Sequence, residues 1–235
     1  MNEKFLIFFG IFGVIIVIAV VSVVVNNYFE KKRTAAFQEL AGELNFEFFP
    51  TTGPGLAEEV AQFHLFGLGH GRQFKNHLRG EAGGIELNIF DYRYTTGSGK
   101  SQQTHNQSIF AARSEGMNLP LFSMRPGTIW HKIGNLLGLR DINFETHPGF
   151  SRLYLLKGPD EQAIRAVFQP EILEYFEKHP KLNIEGCGDV LIYSTYKRLE
   201  PAKIRDFMSE GFEILKLFQT TGDERPPPAD TPEVQ

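Results

Sequence analysis

The chain has 235 residues, room for one ordinary domain and little more. It carries 24 basic and 28 acidic residues, a formal charge of −4, which argues against a nucleic-acid partner because such proteins show a basic excess or a basic face. Its single cysteine excludes an internal disulfide framework and any metal site made of cysteine alone.

The first element is the run Phe5 to Val25, FLIFFGIFGVIIVIAVVSVVV, uncharged and with Ser22 as its only polar side chain. As a helix rising about 1.5 Å per residue it matches the ~30 Å hydrocarbon core of a bilayer. A helix also satisfies every backbone amide within the segment, which lipid demands. A cleaved signal peptide has a shorter apolar region, about 7–15 residues, and a small-residue cleavage site. The following VVSVVVNNYF offers no such site. Residues 1–28 therefore read as an uncleaved anchor, with the lipid bilayer as partner through residues 5–25. Lys31, Lys32 and Arg33 follow the run, against Lys4 and the α-amino group before it. The positive-inside bias puts the body of the protein in the cytoplasm, under an inner (plasma) membrane crossed once. Cys187 fits a reducing compartment. The three basic residues read as a topology signal rather than a lipid-binding patch.

Beyond the anchor, Thr34–Leu44 continues as a helix with Phe37, Leu40 and Leu44 on one face. Phe46–Phe49 is a short aromatic strand, Thr51–Gly55 a turn and Leu56–Phe63 a short helix. Period-2 runs then alternate with turn signals. Gln73–Glu81 and Ile85–Tyr94 flank a hairpin turn at Ala82-Gly83-Gly84. Gln103–Arg113 and Leu119–Arg125 add two strands. Within the run from Ile85 the apolar parity changes: Ile85, Leu87 and Ile89 share one face, Phe90, Tyr92 and Tyr94 the other. Either a bulge lies near Phe90 or both faces are covered.

The second half is more helical. Thr128–Leu137 carries an apolar stripe, with Trp130 and Lys132 fitting either a cap over the sheet or an interfacial helix. Phe150–Leu156 reads as a strand. Gly158-Pro159-Asp160-Glu161 starts a helix with Pro159 in its first position, ending at Phe168. Another runs from Pro170 to Phe176. Leu182–Glu185 and Val190–Tyr193 form a hairpin around Gly186-Cys187-Gly188-Asp189. A last helix, Pro201–Phe218, faces the core with Ile204, Phe207, Met208, Gly211, Phe212, Leu215 and Phe218. Residues 222–235 contain four prolines and little apolar mass, so a disordered tail is expected. The grouped strands favour an α+β domain over residues 29–221, an antiparallel sheet packed against helices.

Candidate chemistry is sparse. Tyr94-Thr95-Thr96-Gly97-Ser98-Gly99-Lys100-Ser101 resembles a phosphate loop, but Tyr94 occupies the first glycine position and no helix follows. A hairpin tip explains it better. Seven histidines, at 64, 70, 77, 105, 131, 147 and 179, lack the spacing of a metal set. Glu58-Glu59 and Asp160-Glu161 are adjacent, so on a helix their carboxylates diverge and make no catalytic dyad. Cys187 sits in a glycine-flanked turn, and no G-x-S-x-G elbow occurs. No catalytic, cofactor-binding or metal-binding residue and no cofactor is assigned.

Three stretches, YRYTTGSGKSQQTHNQSIF from Tyr92, HPGFSRLYLLKGPDEQAIRAVF from His147 and LNIEGCGDVLIY from Leu182, carry a resemblance. Together with the N-terminal anchor they make the chain similar to an uncharacterised bacterial family of single-pass membrane-anchored proteins with a domain of unknown function. The resemblance implies a tethered domain and assigns no active site. The sequence thus supports a membrane-tethered, non-catalytic module that binds another protein or assembles with itself. The alternative is an enzyme, or a small-ligand or lipid-binding domain, with an unfamiliar site near the membrane.

Overall fold

The computed structural model describes residues 3–127 and 140–223. The chain begins as α1, Glu3–Leu44, one unbroken helix of 42 residues, roughly 63 Å long at 1.5 Å per residue. Every residue from Ile11 to Phe29 is exposed. Among the described residues this is the one helix long and apolar enough to cross a membrane. Packing starts at Glu30, so α1 passes through residue 28 without a break. Phe37, Leu40 and Ala41 are buried in one core with Leu78, Leu87 and Ile89. The helix ends where Asn45 takes a left-handed φ of 56°. The Phe46 and Asn45 amides then bond back to the Ala41 and Gly42 carbonyls, at 2.8 and 3.3 Å, which satisfies the last turn.

Eight strands follow: β1 Glu47–Phe49, β2 His70–Ala82, β3 Ile85–Thr96, β4 Gln103–Arg113, β5 Leu119–Pro126, β6 Tyr154–Lys157, β7 Asn183–Gly188 and β8 Val190–Ser194. They form one antiparallel sheet in the order β1-β2-β3-β4-β8-β7-β5-β6. One face holds the larger core. It is covered by the end of α1, α4 (Pro148–Leu153), α5 (Glu161–Val167), α6 (Pro170–Lys178) and α7 (Ile204–Asp223). The other face holds a smaller core under α2 (Leu56–Val60) and α3 (His64–Gly67). The class is α+β, as the grouping of strands implies.

Both faces of β3 are covered: Leu87 and Ile89 enter the larger core, Phe90, Tyr92 and Tyr94 the smaller. The β3–β4 ladder is continuous from Glu86–Arg113 to Thr96–Gln103, so β3 itself is regular. The bulge lies in its partner. Lys75 pairs with Asp91 and Leu78 with Ile89, so Asn76 and His77 together oppose Phe90. Asn76, at φ 50°, supplies the left-handed step. The extra residue turns Asn76 to the larger core and His77 to the smaller.

Several expectations shift. Phe150–Leu153 is helical, and only Tyr154–Lys157 is strand. Phe150 and Tyr154 lie four apart, which fits one helical turn as well as a period of two, and Pro148 suits the first turn. α5 begins at Glu161 rather than at Pro159, because the Asp160 carboxylate caps it by accepting from the Ala163 amide at 2.9 Å. α3 was not expected. On α7 the buried stripe includes Ile214, while Phe212 is half-buried at its margin. Gly211 is required there: a Cβ would stand 2.7 Å from the Phe110 ring. α7 runs to Asp223, past the expected end at Phe218 and over the first two residues of the tail expected at 222–235; the rest of that tail and the helix expected over Thr128–Leu137, with Trp130, lie outside the described residues.

Candidate functional site: a charged joint between the long helix and the sheet

Where α1 meets the sheet, one carboxylate organises the contact. Asp91 lies on the larger-core face of β3 and is 6% exposed. It accepts from Arg33 Nε and Nη2, both at 2.7 Å, from Asn76 Nδ2 at 2.8 Å, from Ser108 Oγ at 3.1 Å and from Arg198 Nε at 3.2 Å. The fork of Arg33 matches the two carboxylate oxygens, and its Nη1 donates to the Leu199 carbonyl at 2.6 Å. Its guanidinium also covers the Phe37 ring. Arg198 grips Glu30 of α1 with Nη1 and Nη2.

Local structure places each of these groups. The β2 bulge brings Asn76 beside Asp91, where its Oδ1 also accepts from Thr34 of α1 at 2.8 Å. Arg198 arrives on an irregular extension of β8, where the Ser108 amide bonds to the Lys197 carbonyl at 2.9 Å. Tyr196, at φ 60°, turns that extension. Burial alone would raise the Asp91 pKa, but the hydrogen bonds and charges of Arg33 and Arg198 outweigh it and hold the group below its ordinary value. The Arg198 hydrogen bond likewise holds Glu30 down, against a smaller effect of burial. Both acids are therefore ionised and paired, which suits them to fastening α1 and unsuits them to general-base work.

Beside the joint is a cavity of about 320 Å³ whose walls include Asn26, Glu30, Lys75, Asp91, Arg93 and Arg198. The two carboxylates are held by arginines. Lys75 stands 4.0 Å from Glu30. The exposed Arg93 guanidinium has no hydrogen-bond or ion-pair partner among the described residues.

The opposite face has a second charged centre. Arg125 and Glu185 are paired at 2.5 Å, with side chains 3% and 1% exposed. Glu185 also accepts from the Leu65 amide, which ties α3 down on the sheet. Arg125 donates to His64 Nδ1 at 2.7 Å. Burial first, then the Arg125 charge, push His64 down to about 4, so it is neutral at neutral pH. Burial raises the Cys187 thiol, the reverse of what a nucleophile needs.

The other residues weighed from the sequence are dispersed. His77 is buried between the Gly53 amide and Asn88. His105 meets Thr96, and His179 stacks on Tyr175. Glu59 pairs with Arg113 at 2.9 Å, and Glu161 with Arg165 at 2.7 Å. Among the described residues no group of three or more His, Cys, Asp or Glu could hold a metal ion. The Gly97–Lys100 stretch is a hairpin tip with one short 3-10 turn, Gly99–Ser101. Arg33, one of the three basic residues read as a topology signal, is built into the joint. The sequence around the joint's other members gives one signal, Asp91 inside IELNIFDYRY, an acid between Phe90 and Tyr92.

No family model matches the chain, and no curated protein matches it. Among solved structures, the crystal structure of the mycobacterial trehalose monomycolate transport factor A, TtfA, is similar, with a TM-score of 0.57. The match covers 86% of this chain and 98% of that one, at 11% identity. The two share a fold. At that identity the likeness carries no residue of a site from one chain to the other.

Proposed function

We propose that the protein is a single-pass, membrane-anchored, non-catalytic module that works by binding another protein or by assembling with itself, on the cytoplasmic side of an inner membrane. The observation that carries this reading is the course of α1. Its apolar half is exposed from Ile11 onward, and its polar half is clamped to the sheet by Arg33, Asp91, Arg198 and Glu30. An apolar face of that length needs lipid around it in a folded protein. A clamp without a hinge fixes the domain near the bilayer, where it meets membrane partners. The similar fold belongs to a protein named for the transport of trehalose monomycolate, a lipid cargo. That supports an accessory role beside a lipid-transport system. A second reading, a domain that binds a lipid or small ligand, is favoured by the polar cavity beside the joint.

Membrane fractionation tests the tether. The full chain is expected to stay in the membrane pellet through alkaline carbonate washing and to leave it only with detergent. Recovery in the carbonate supernatant overturns the tether. The side is tested by Lys100→Cys in a Cys187→Ser background. A membrane-impermeant maleimide is expected to label it only after the cells are lysed, and labelling of intact cells places the domain outside.

A further inference from the structure

The cavity beside the joint has two properties that the fastening of α1 does not require. The first is its position. Asn26, the residue after the apolar run ends at Val25, forms part of its wall, together with Lys75 of β2, Arg93 of β3 and Arg198. If residues 5–25 occupy the hydrocarbon core, the group at Asn26 lies at the depth of the lipid headgroups. Side chains from the sheet that share a wall with it lie at that depth too. The second property is its charge. Counting Arg33 behind it, four cations surround two carboxylates. The carboxylates are taken up by Arg33 and Arg198 through short, paired hydrogen bonds. Among the described residues Arg93 has no partner and Lys75 is held only by a 4.0 Å contact. The amides of Gln73 and Asn106, in the same wall, add neutral donors. A polar recess of about 320 Å³ with spare cations and amide donors has the chemistry of a phosphate site.

We propose that this cavity binds a phosphate-bearing anion, the headgroup of an anionic phospholipid, with Arg93 and Lys75 as the cations that hold it. The proposal rests on the membrane-anchored reading of α1. A glycerophosphate group entering from the bilayer surface places its phosphate between the two cations while its acyl chains stay in the core beside α1. Arg93 offers two parallel N–H donors to the phosphate oxygens, and Lys75 a point charge. The lipid would thereby seat the domain against the membrane at a fixed place.

The test uses the full chain reconstituted into nanodiscs of phosphatidylcholine with and without phosphatidylglycerol, then released into mild detergent and weighed by native mass spectrometry. The wild type is expected to retain phosphatidylglycerol in preference to phosphatidylcholine. Arg93→Gln is expected to lower that retention about fivefold, and Arg93→Gln with Lys75→Gln about 25-fold, from the usual contribution of a basic residue at an anionic surface. Lys100→Gln, at the distant hairpin tip, is expected to change nothing. Equal loss in Lys100→Gln assigns the effect to general surface charge and overturns the site. So does unchanged retention in the double variant. Saturable binding of inorganic phosphate to the delipidated protein, as tight as that of the lipid and lost in the double variant, makes a soluble phosphate the occupant and overturns the lipid assignment. A chain that enters the nanodiscs but shows no preference defeats the site alone. A chain that never enters them defeats the anchor, and the lipid site with it.

Discussion

The joint around Asp91 and the pair of Arg125 and Glu185 lie on opposite faces of one sheet, and both neutralise a charge that the fold has buried. They differ in how completely they are closed. At the second centre both side chains are all but inaccessible, and each remaining bond runs to a neighbour inside the domain, Leu65, His64 or Ser123. At the joint, Arg198 and Glu30 are about a quarter exposed, and a polar cavity opens beside them. The closed centre has no way to respond to anything outside the domain and serves to hold α3. The open one faces solvent where the apolar half of α1 ends and has cations to spare. Burial, more than charge count, separates a structural ion pair from one that can also receive a ligand.

The difference is sharpest when each centre loses its acid. Glu185→Gln keeps an acceptor for the Leu65 amide but leaves the Arg125 charge buried and unpaired. Breaking such a pair costs about 3–5 kcal/mol. Chemical denaturation of the full chain in detergent should show that loss, and Arg125→Met combined with Glu185→Leu should recover only part of it, since apolar replacements remove the unpaired charge but leave the Leu65 amide without its acceptor. A cost below about 1 kcal/mol for Glu185→Gln would mean that water reaches the centre. Asp91→Asn at the joint should cost less, about 1.5–3 kcal/mol for lost bonds to charged partners, because Arg198 is partly exposed and can turn toward solvent, and Arg33 keeps its bond to the Leu199 carbonyl. Its particular signature should be faster amide exchange in α1 between Glu30 and Phe37 than elsewhere in the domain. Uniform destabilisation would show that the joint does not specifically hold the helix.

Acid should separate the two centres by pH. His64 has its pKa lowered from the usual 6.5 to about 4 in the folded chain. The unfolded chain therefore binds the extra proton first, and stability falls as pH drops from about 6.5 to about 4. Asp91 and Glu30 also have lowered values. Their contribution is complete above the ordinary carboxylate range and is lost only as pH falls below it. Burial also lowers the pKa of His77, so denaturation across pH should show a first loss that His64→Gln reduces and a second, more acidic loss that Asp91→Asn reduces. If His64→Gln leaves the first loss in place, the imidazole is not held neutral by the closed centre.

What was legible in the sequence follows the same division. Elements with a strong period and clear punctuation were readable. Gln103–Arg113 is β4 to the residue, and Ala82 pairs with Ile85 across the two glycines. Short elements were not. α3 has four residues, too few to show any period. Phe150–Leu153 presents spacing common to a strand and a helical turn. The joint was hidden for another reason. Arg33 lies 58 residues from Asp91, and Arg198 lies 107 from Asp91 and 168 from Glu30, and nothing local announces a partner so far along the chain. The bulge that delivers Asn76 shows in the sequence only through its effect opposite, the parity change at Phe90, on the regular strand of the pair.

The smallest effect is expected where charge is present but nothing encloses it. Lys100 sits exposed at the tip of the β3–β4 hairpin. The tip's shape is set by Gly97, at φ 72°, where a Cβ would stand 2.5 Å from the Ser101 carbonyl oxygen. It does not depend on the lysine. The two strands leading to the tip are paired through Thr96 and Gln103, so the turn has no α-helix whose first amides point at a phosphate. A lone lysine on an open loop gives an anion neither a second cation nor a wall, in contrast to Arg93 and Lys75 at the cavity. Lys100→Ala should change stability by no more than about 0.5 kcal/mol, and the wild type should bind neither ATP nor GTP in equilibrium dialysis. Saturable nucleotide binding lost on Lys100→Ala would show that an open tip can hold an anion without enclosure, and it would remove the distinction between the joint and the rest of the charged surface.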